Sequence, residues 1–97
     1  MKLLLVCAGG LSTSILMKKL SSYAESQEIP FEVDAVGVGS YEEVYKQYDL
    51  ILMGPQVSYK KDEVAAATGI PLDVINPLDY ALGNAENIFK QIDKLLS

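Results

Sequence analysis

Two rhythms run along the chain. Short apolar blocks alternate with longer stretches in which apolar residues recur every three or four positions. Lys2 to Cys7 contains Leu3-Leu4-Leu5-Val6 without polar alternation, as expected of a parallel strand covered on both faces. Leu16, Leu20, Tyr23, Ala24 and Gln27 then share one helical face. That spacing predicts a helix capped by Ser12, running to about Gln27, with Pro30 marking its exit. Phe31 to Val38 begins with strand alternation and reads as a second strand at a sheet edge. Ser40-Tyr41-Glu42-Glu43 has the spacing of a capping box and predicts a short helix to about Tyr48.

Asp49 to Met53 is a third, buried strand, stopped by Gly54-Pro55. A helix is expected from Tyr59 or Lys60 to Thr68, ended by Gly69 and Pro71. Leu72 to Ile75 makes a short fourth strand. Asn76-Pro77 opens a turn, and Leu78 to Leu82 adds one helical turn. Asn84 caps a last helix with the stripe Ala85, Ile88, Phe89, Ile92, Leu95, Leu96. The tyrosines Tyr23, Tyr41, Tyr45, Tyr48 and Tyr80 read as packing residues. Strands alternating with helices predict an α/β fold: a four-stranded parallel open sheet with helices on both faces, a three-layer sandwich joined by right-handed crossovers. The first strand is the most apolar and belongs in the middle, giving the order 2-1-3-4.

Composition narrows the chemistry. The chain has 97 residues and is 49% apolar, which fits one globular domain over residues 1–97. No apolar run approaches the ~20 residues of a membrane span, and the N-terminus lacks the pattern of a signal peptide, so a cytoplasmic location without membrane insertion is expected. The formal charge is −5, there is no histidine, and all eight cationic side chains are lysines. An acidic chain is a poor nucleic-acid partner. Without histidine there is no Ser-His-Asp triad and no His-containing metal site, and no metal or cofactor is expected. Without arginine, a bound phosphate must be held by backbone N–H groups, hydroxyls, amides or lysine.

The candidate chemistry lies in Cys7-Ala8-Gly9-Gly10-Leu11-Ser12-Thr13-Ser14. The one cysteine ends the first strand; two glycines and three hydroxyl residues lead into a helix. Ligands of open α/β sheets bind at the carboxyl ends of the strands. Glycines let backbone N–H groups curl around an anion, and a helix N-terminus carries roughly +0.5 of charge. Such a loop suits a phosphoryl group held on sulfur, with Cys7 as nucleophile. The helix N-terminus predicts a Cys7 thiol that ionises below the usual ~8.5. Gln56, Ser58 and Tyr59, after the third strand, come to the same end of the sheet, and Gln56 and Tyr59 are candidate neighbours of the loop.

Several motifs are missing. There is no G-x-x-x-x-G-K-[ST], Gly37-x-Gly39 is too short for a dinucleotide fingerprint, and there is no C-x-x-C. Three functions are compatible with the loop: a phosphoryl carrier, a low-molecular-weight cysteine phosphatase, or a non-enzymatic regulatory module of the same fold. A phosphatase of this type relies on an arginine in the loop, which this loop lacks. That favours handing the phosphoryl group on over hydrolysing it.

These residues resemble the enzyme IIB components of the lactose/cellobiose family of the bacterial phosphoenolpyruvate-dependent sugar phosphotransferase system. The likeness rests on Leu5-Val6-Cys7-Ala8-Gly9-Gly10-Leu11-Ser12-Thr13-Ser14 and on Met53-Gly54-Pro55-Gln56-Val57-Ser58-Tyr59. It implies that Cys7 accepts a phosphoryl group from a phosphohistidine of enzyme IIA. Cys7 then passes it to a sugar, cellobiose or a related β-disaccharide, carried by the membrane subunit enzyme IIC. The resemblance also implies that Ala8, Gly9, Gly10, Leu11, Ser12, Thr13 and Ser14 bind the phosphate, and that the protein associates peripherally with its permease. Ala8 stands where the family usually has serine, removing one hydroxyl. An apolar rim around Cys7, with Leu11 as a candidate, is expected for docking two partners in turn.

Overall fold

A computed structural model describes residues 1–8 and 11–97, with the side chains of Leu11 and Ser12 left aside. The elements follow in the order β1 (Lys2–Cys7), α1 (Leu11–Ser26), β2 (Glu32–Gly37), β3 (Leu50–Met53), α2 (Lys61–Thr68), β4 (Leu72–Val74), α3 (Pro77–Leu82) and α4 (Ala85–Leu96). The four strands form one parallel sheet in the order β2-β1-β3-β4, as the hydrophobic pattern predicts. β1 and β3 are the inner strands, and both are apolar on both faces, β1 from Leu3 to Cys7 and β3 over its whole length.

Strand geometry sends alternate residues of β1 to opposite layers. Leu3, Leu5 and Cys7 join a core with Leu16 and Leu20 of α1 and Ile88, Phe89 and Ile92 of α4. Leu4 and Val6 join a second core with Tyr41, Ile51, Met53, Val57 and Val64. The first layer is closed by aromatic rings. Phe89 lies 5.2 Å from Tyr23 and 4.9 Å from Phe31, centroid to centroid, within the usual range for aromatic pairs. Gln91 of α4 donates to Val74 O (2.7 Å) and Asp73 Oδ2 (2.9 Å), fastening the last helix to the edge strand β4.

Four local expectations are corrected. α1 begins at Leu11, so Ser12 lies inside its first turn and is not its cap. Gln27 is exposed beyond the helix end, and Leu96 at the C-terminus is also exposed. The Ser40 capping box does not form. Ser40 makes no side-chain cap bond, and the segment becomes two single 3-10 turns, Tyr41–Glu43 and Tyr45–Gln47, broken at Val44. Tertiary contacts explain this outcome. Tyr41 is buried under the sheet, Tyr48 donates to Asp34 Oδ2 of β2 (2.7 Å), and Asp49 N donates to Lys2 O (2.8 Å). The chain must return to the sheet before a regular helix can propagate. The helix expected from Tyr59 or Lys60 begins as α2 at Lys61, after a 3-10 segment, Pro55–Lys60.

Other local signals hold. Asn76 Oδ1 accepts from Leu78 N (2.9 Å) and Asn84 Oδ1 from Asn87 N (3.1 Å), capping α3 and α4. Gly69 and Gly83 end α2 and α3 in the left-handed region, with φ of 68° and 61°, where glycine carries no Cβ penalty.

Candidate functional site

Cys7 is the last residue of β1, with Gly37 of β2 as its register partner on one side and Gly54, just past β3, on the other. Gly54 N donates to Val6 O (2.9 Å), which draws its backbone against the cysteine. A Cβ on Gly54 would stand 3.3 Å from Cys7 Sγ and 3.0 Å from Gln56 Oε1. A side chain at position 54 would therefore be crowded by both Gln56 and the Cys7 sulfur. Gln56 and the Cys7 sulfur thus both border the space at Gly54. At Gly37 a Cβ would meet nothing within 4 Å.

On the α1 side the space is open. A cavity of about 240 Å³ is lined by Cys7, Thr13, Ser14 and Met17, and by Ala35, Val36 and Gly37 of β2. Thr13 is only 5% exposed, and its Oγ1 has no hydrogen-bond partner among the described residues. A buried hydroxyl without a partner costs about 1–3 kcal/mol. This one lies close to the Cys7 sulfur and is oriented to favour the thiolate, although it makes no well-formed bond to the resting thiol. Ser14, next along, is exposed at the cavity. The first turn of α1 also brings backbone N–H groups that have no partner within the helix.

Cys7 is itself 1% exposed. Burial pushes its thiol above the ordinary value; Thr13, the Tyr80 side chain and the Gly54 backbone pull the other way without prevailing. This corrects the expectation of a lowered thiol. Removing the sulfur from water penalises the thiolate, and burial is the largest influence on it.

The predicted site residues fall into four groups. Cys7, Thr13, Ser14 and Gln56 come together. Ala8 is an exposed bend directly after β1. Leu11 and Ser12 occupy the first turn of α1, their side chains outside the described residues, as are Gly9 and Gly10 altogether. Tyr59 is not drawn in: its ring is 75% exposed and makes no hydrogen bond among the described residues. Two neighbours were missed. Tyr80, read as packing and indeed packed against this core, also favours the Cys7 thiolate, and Gly54, read as a strand stop, sets its backbone against the cysteine. The signal for Tyr80 was its place just after the Asn76 cap, at the carboxyl end of β4.

Among the described residues no group of His, Cys, Asp or Glu side chains is arranged to hold a metal, and no helix is long and apolar enough to cross a membrane.

Comparison with known proteins finds relatives along nearly the whole chain. The chain is 34% identical to an oligo-beta-mannoside-specific EIIB component of the PTS system from Bacillus subtilis (strain 168), over 98% of this chain and 95% of that one. It is 31% identical to part of a lactose-specific EIICB component from Staphylococcus haemolyticus, over 79% of this chain and 14% of that one. The solution structure of a cellobiose-specific phosphotransferase IIB component from Borrelia burgdorferi superposes with a TM-score of 0.81 at 32% identity, covering 98% of this chain and 90% of that one. The family model described as "PTS system, Lactose/Cellobiose specific IIB subunit" matches residues 2–91, and the chain belongs to that family.

Proposed function

We propose that this IIB subunit carries a phosphoryl group on Cys7, taking it from a phosphohistidine of an enzyme IIA and giving it to a sugar held by a membrane enzyme IIC. One observation carries this reading: Cys7, the only cysteine in the sequence, lines a cavity of about 240 Å³ together with Thr13, whose buried hydroxyl has no hydrogen-bond partner among the described residues. In the first step the S–P bond forms as the P–N bond breaks, and the thiol proton passes to the released imidazole nitrogen. In the second, a sugar hydroxyl oxygen bonds to phosphorus, the S–P pair returns to sulfur, and the hydroxyl proton restores the thiol. Phosphoryl transfer demands positioning and charge stabilisation rather than acid–base groups, so a site without histidine or arginine suffices when the partners supply donor and acceptor.

The backbone of residues 8–14 and the hydroxyls of Ser12, Thr13 and Ser14 cradle the phosphoryl oxygens, with the Gln56 amide beside them. Tyr59 serves the docking surface, not the phosphate, since it stands in solvent. With Ile15 and Leu78, also exposed, it supplies apolar area for partners that dock in turn. The sugar is cellobiose or a related β-disaccharide. The fused EIICB relative supports a IIC partner, and through it a place at the membrane face.

The test is incubation with phosphoenolpyruvate and the upstream relay proteins, followed by mass-spectrometric mapping. A single adduct on Cys7, absent in Cys7→Ser, is expected. An adduct elsewhere, or none, refutes the carrier reading.

A further inference from the structure

The inward face of β2 shrinks as it nears Cys7. Val33, Ala35 and Gly37 stand opposite Leu3, Leu5 and Cys7 in register, and alternation along the strands turns all three toward α1. Val33 and Ala35 pack against the core on that side, whereas Val36, between Ala35 and Gly37, packs against the opposite core. Toward the carboxyl end of the strand the inward side chains thus fall from isopropyl to methyl to hydrogen. The backbone does not call for this. Gly37 lacks the left-handed φ of Gly69 and Gly83, and a Cβ on it would meet nothing within 4 Å among the described residues. Ala35 and Gly37 line the cavity of about 240 Å³ together with Cys7, Thr13, Ser14, Met17 and Val36. In that same lining Thr13 is buried, and its Oγ1 has no hydrogen-bond partner among the described residues. A buried hydroxyl left open in the lining of such a space points to a ligand from outside the chain.

We propose that the tapered face of β2, through Ala35 and Gly37, is a size-selecting wall that admits the flat ring of the donor's phosphohistidine beside Cys7. The identity of the ring rests on the carrier reading; the wall itself does not. The cavity has the room: roughly 150 Å³ suffices for a benzene ring, so about 240 Å³ holds a five-membered ring together with a phosphoryl group. The lining suits such a ring better than a sugar. Met17, Ala35, Val36 and Gly37 bring no side-chain hydroxyl, amide or charge, while the hydroxyls of Thr13 and Ser14 lie together at the start of α1. A sugar ring turned toward that wall would leave hydroxyls unpaired, at a cost for each. An imidazole bonded to phosphorus through one nitrogen has apolar faces and a single further nitrogen to satisfy. Met17 is unbranched and half-buried, so it adapts as the ring enters and leaves. As the S–P bond forms, the P–N pair stays on the imidazole nitrogen, which takes the thiol proton, and the neutral ring withdraws past the same wall. The sugar comes later and extends only one hydroxyl toward phosphorus. Ala35 and Gly37 therefore determine specificity for the donor and take no part in the chemistry.

The test uses Gly37→Val and Ala35→Val in the full chain, with two thiol reagents of the same chemistry and different shape. Acrylamide is slim and 4-vinylpyridine carries an aromatic ring; each forms a carbon–sulfur bond with the Cys7 thiolate and takes up a proton at carbon. Each variant is expected to slow 4-vinylpyridine about tenfold and acrylamide no more than about twofold, the discrimination that a methyl or two supplies in an apolar pocket. Transfer from phosphorylated enzyme IIA should also fall about tenfold. Melting should be unchanged or raised, because the added methyls fill a cavity. Equal effects on the two reagents, or transfer at the wild-type rate, overturn the inference. Should both variants fail to fold, the wild type decides. Its folded chain must take 4-vinylpyridine as readily, relative to acrylamide, as its unfolded chain does, and selective exclusion of the ring overturns the inference. A wild type that takes no phosphoryl group from enzyme IIA refutes the carrier reading and with it the identity of the ring, while the two reagents still decide whether the wall sorts by shape.

Discussion

On the α1 flank of Cys7 the structure leaves room. Thr13 and Ser14 line a cavity with the smooth wall of Ala35, Val36 and Gly37, and the Thr13 hydroxyl has nothing among the described residues to bond. On the flank of Gly54 and Tyr80 it leaves none. There the backbone of Gly54 presses so close that a single added carbon would sit 3.3 Å from the sulfur, and Tyr80 arrives on a helix tied to both neighbours. One flank is arranged to receive a group and the other to hold the atom that takes it. On the carrier reading, the difference is how a site of neutral residues would handle a charged cargo. Rigidity on one side fixes the line of attack, and unsatisfied donors on the other wait for the charge to come.

The sharpest way to break the comparison is to crowd the closed flank. Gly54→Val should abolish phosphoryl transfer to Cys7 and lower stability by about 1–3 kcal/mol, the usual cost of overpacking, as read by transfer assay and chemical denaturation. A variant with normal transfer would mean that the closed flank is not rigid.

Thr13→Val probes the open flank, and its two readouts should part company. Transfer should fall about a hundredfold, as when one donor to a developing charge is removed. Stability should stay level or rise by about 1 kcal/mol, because the lost hydroxyl had no partner in the resting protein. A loss of stability would mean that the hydroxyl is already satisfied without a ligand.

The pH dependence of the thiol sharpens the balance between flanks. Burial raises the Cys7 pKa, so the folded state favours the protonated thiol. That contribution to stability is complete below the unfolded thiol pKa and is lost as pH rises through the folded value. Iodoacetamide alkylation of the folded chain should therefore show a midpoint above that of the unfolded chain. A folded midpoint at or below the unfolded one would show the α1 N-terminus outweighing burial.

The smallest effect belongs to a residue on neither flank. Tyr48 donates to Asp34 Oδ2, and this bond raises its hydroxyl pKa to about 12. Its contribution is complete below the ordinary tyrosine value of 10.0 and disappears as pH rises through about 12. Tyr48→Phe should cost about 1 kcal/mol at neutral pH and leave transfer unchanged, by melting and transfer assay. A loss of transfer would extend the site along β2.

The amino-acid sequence by itself determined the layer order, the central place of β1 and the place of Cys7, the candidate nucleophile, at the end of that strand. These follow from a continuous apolar strand, helical periodicity and a cysteine set between strand and helix, all of which are local signals. It also marked the caps at Asn76 and Asn84, because an Asx cap is decided within three residues. The Ser40 cap was marked by the same rule and failed, since the tyrosines and Asp49 that follow bind elsewhere in the sheet. Only the tertiary structure decided that Tyr80 packs against the core that holds Cys7, that Gly54 lies tight against the sulfur, that Tyr59 stands outside, and that burial raises the Cys7 thiol. Each depends on which residues distant in sequence exclude water or meet across the carboxyl ends of the strands. Burial and close approach are properties of the packed whole, and no spacing along the chain encodes them directly.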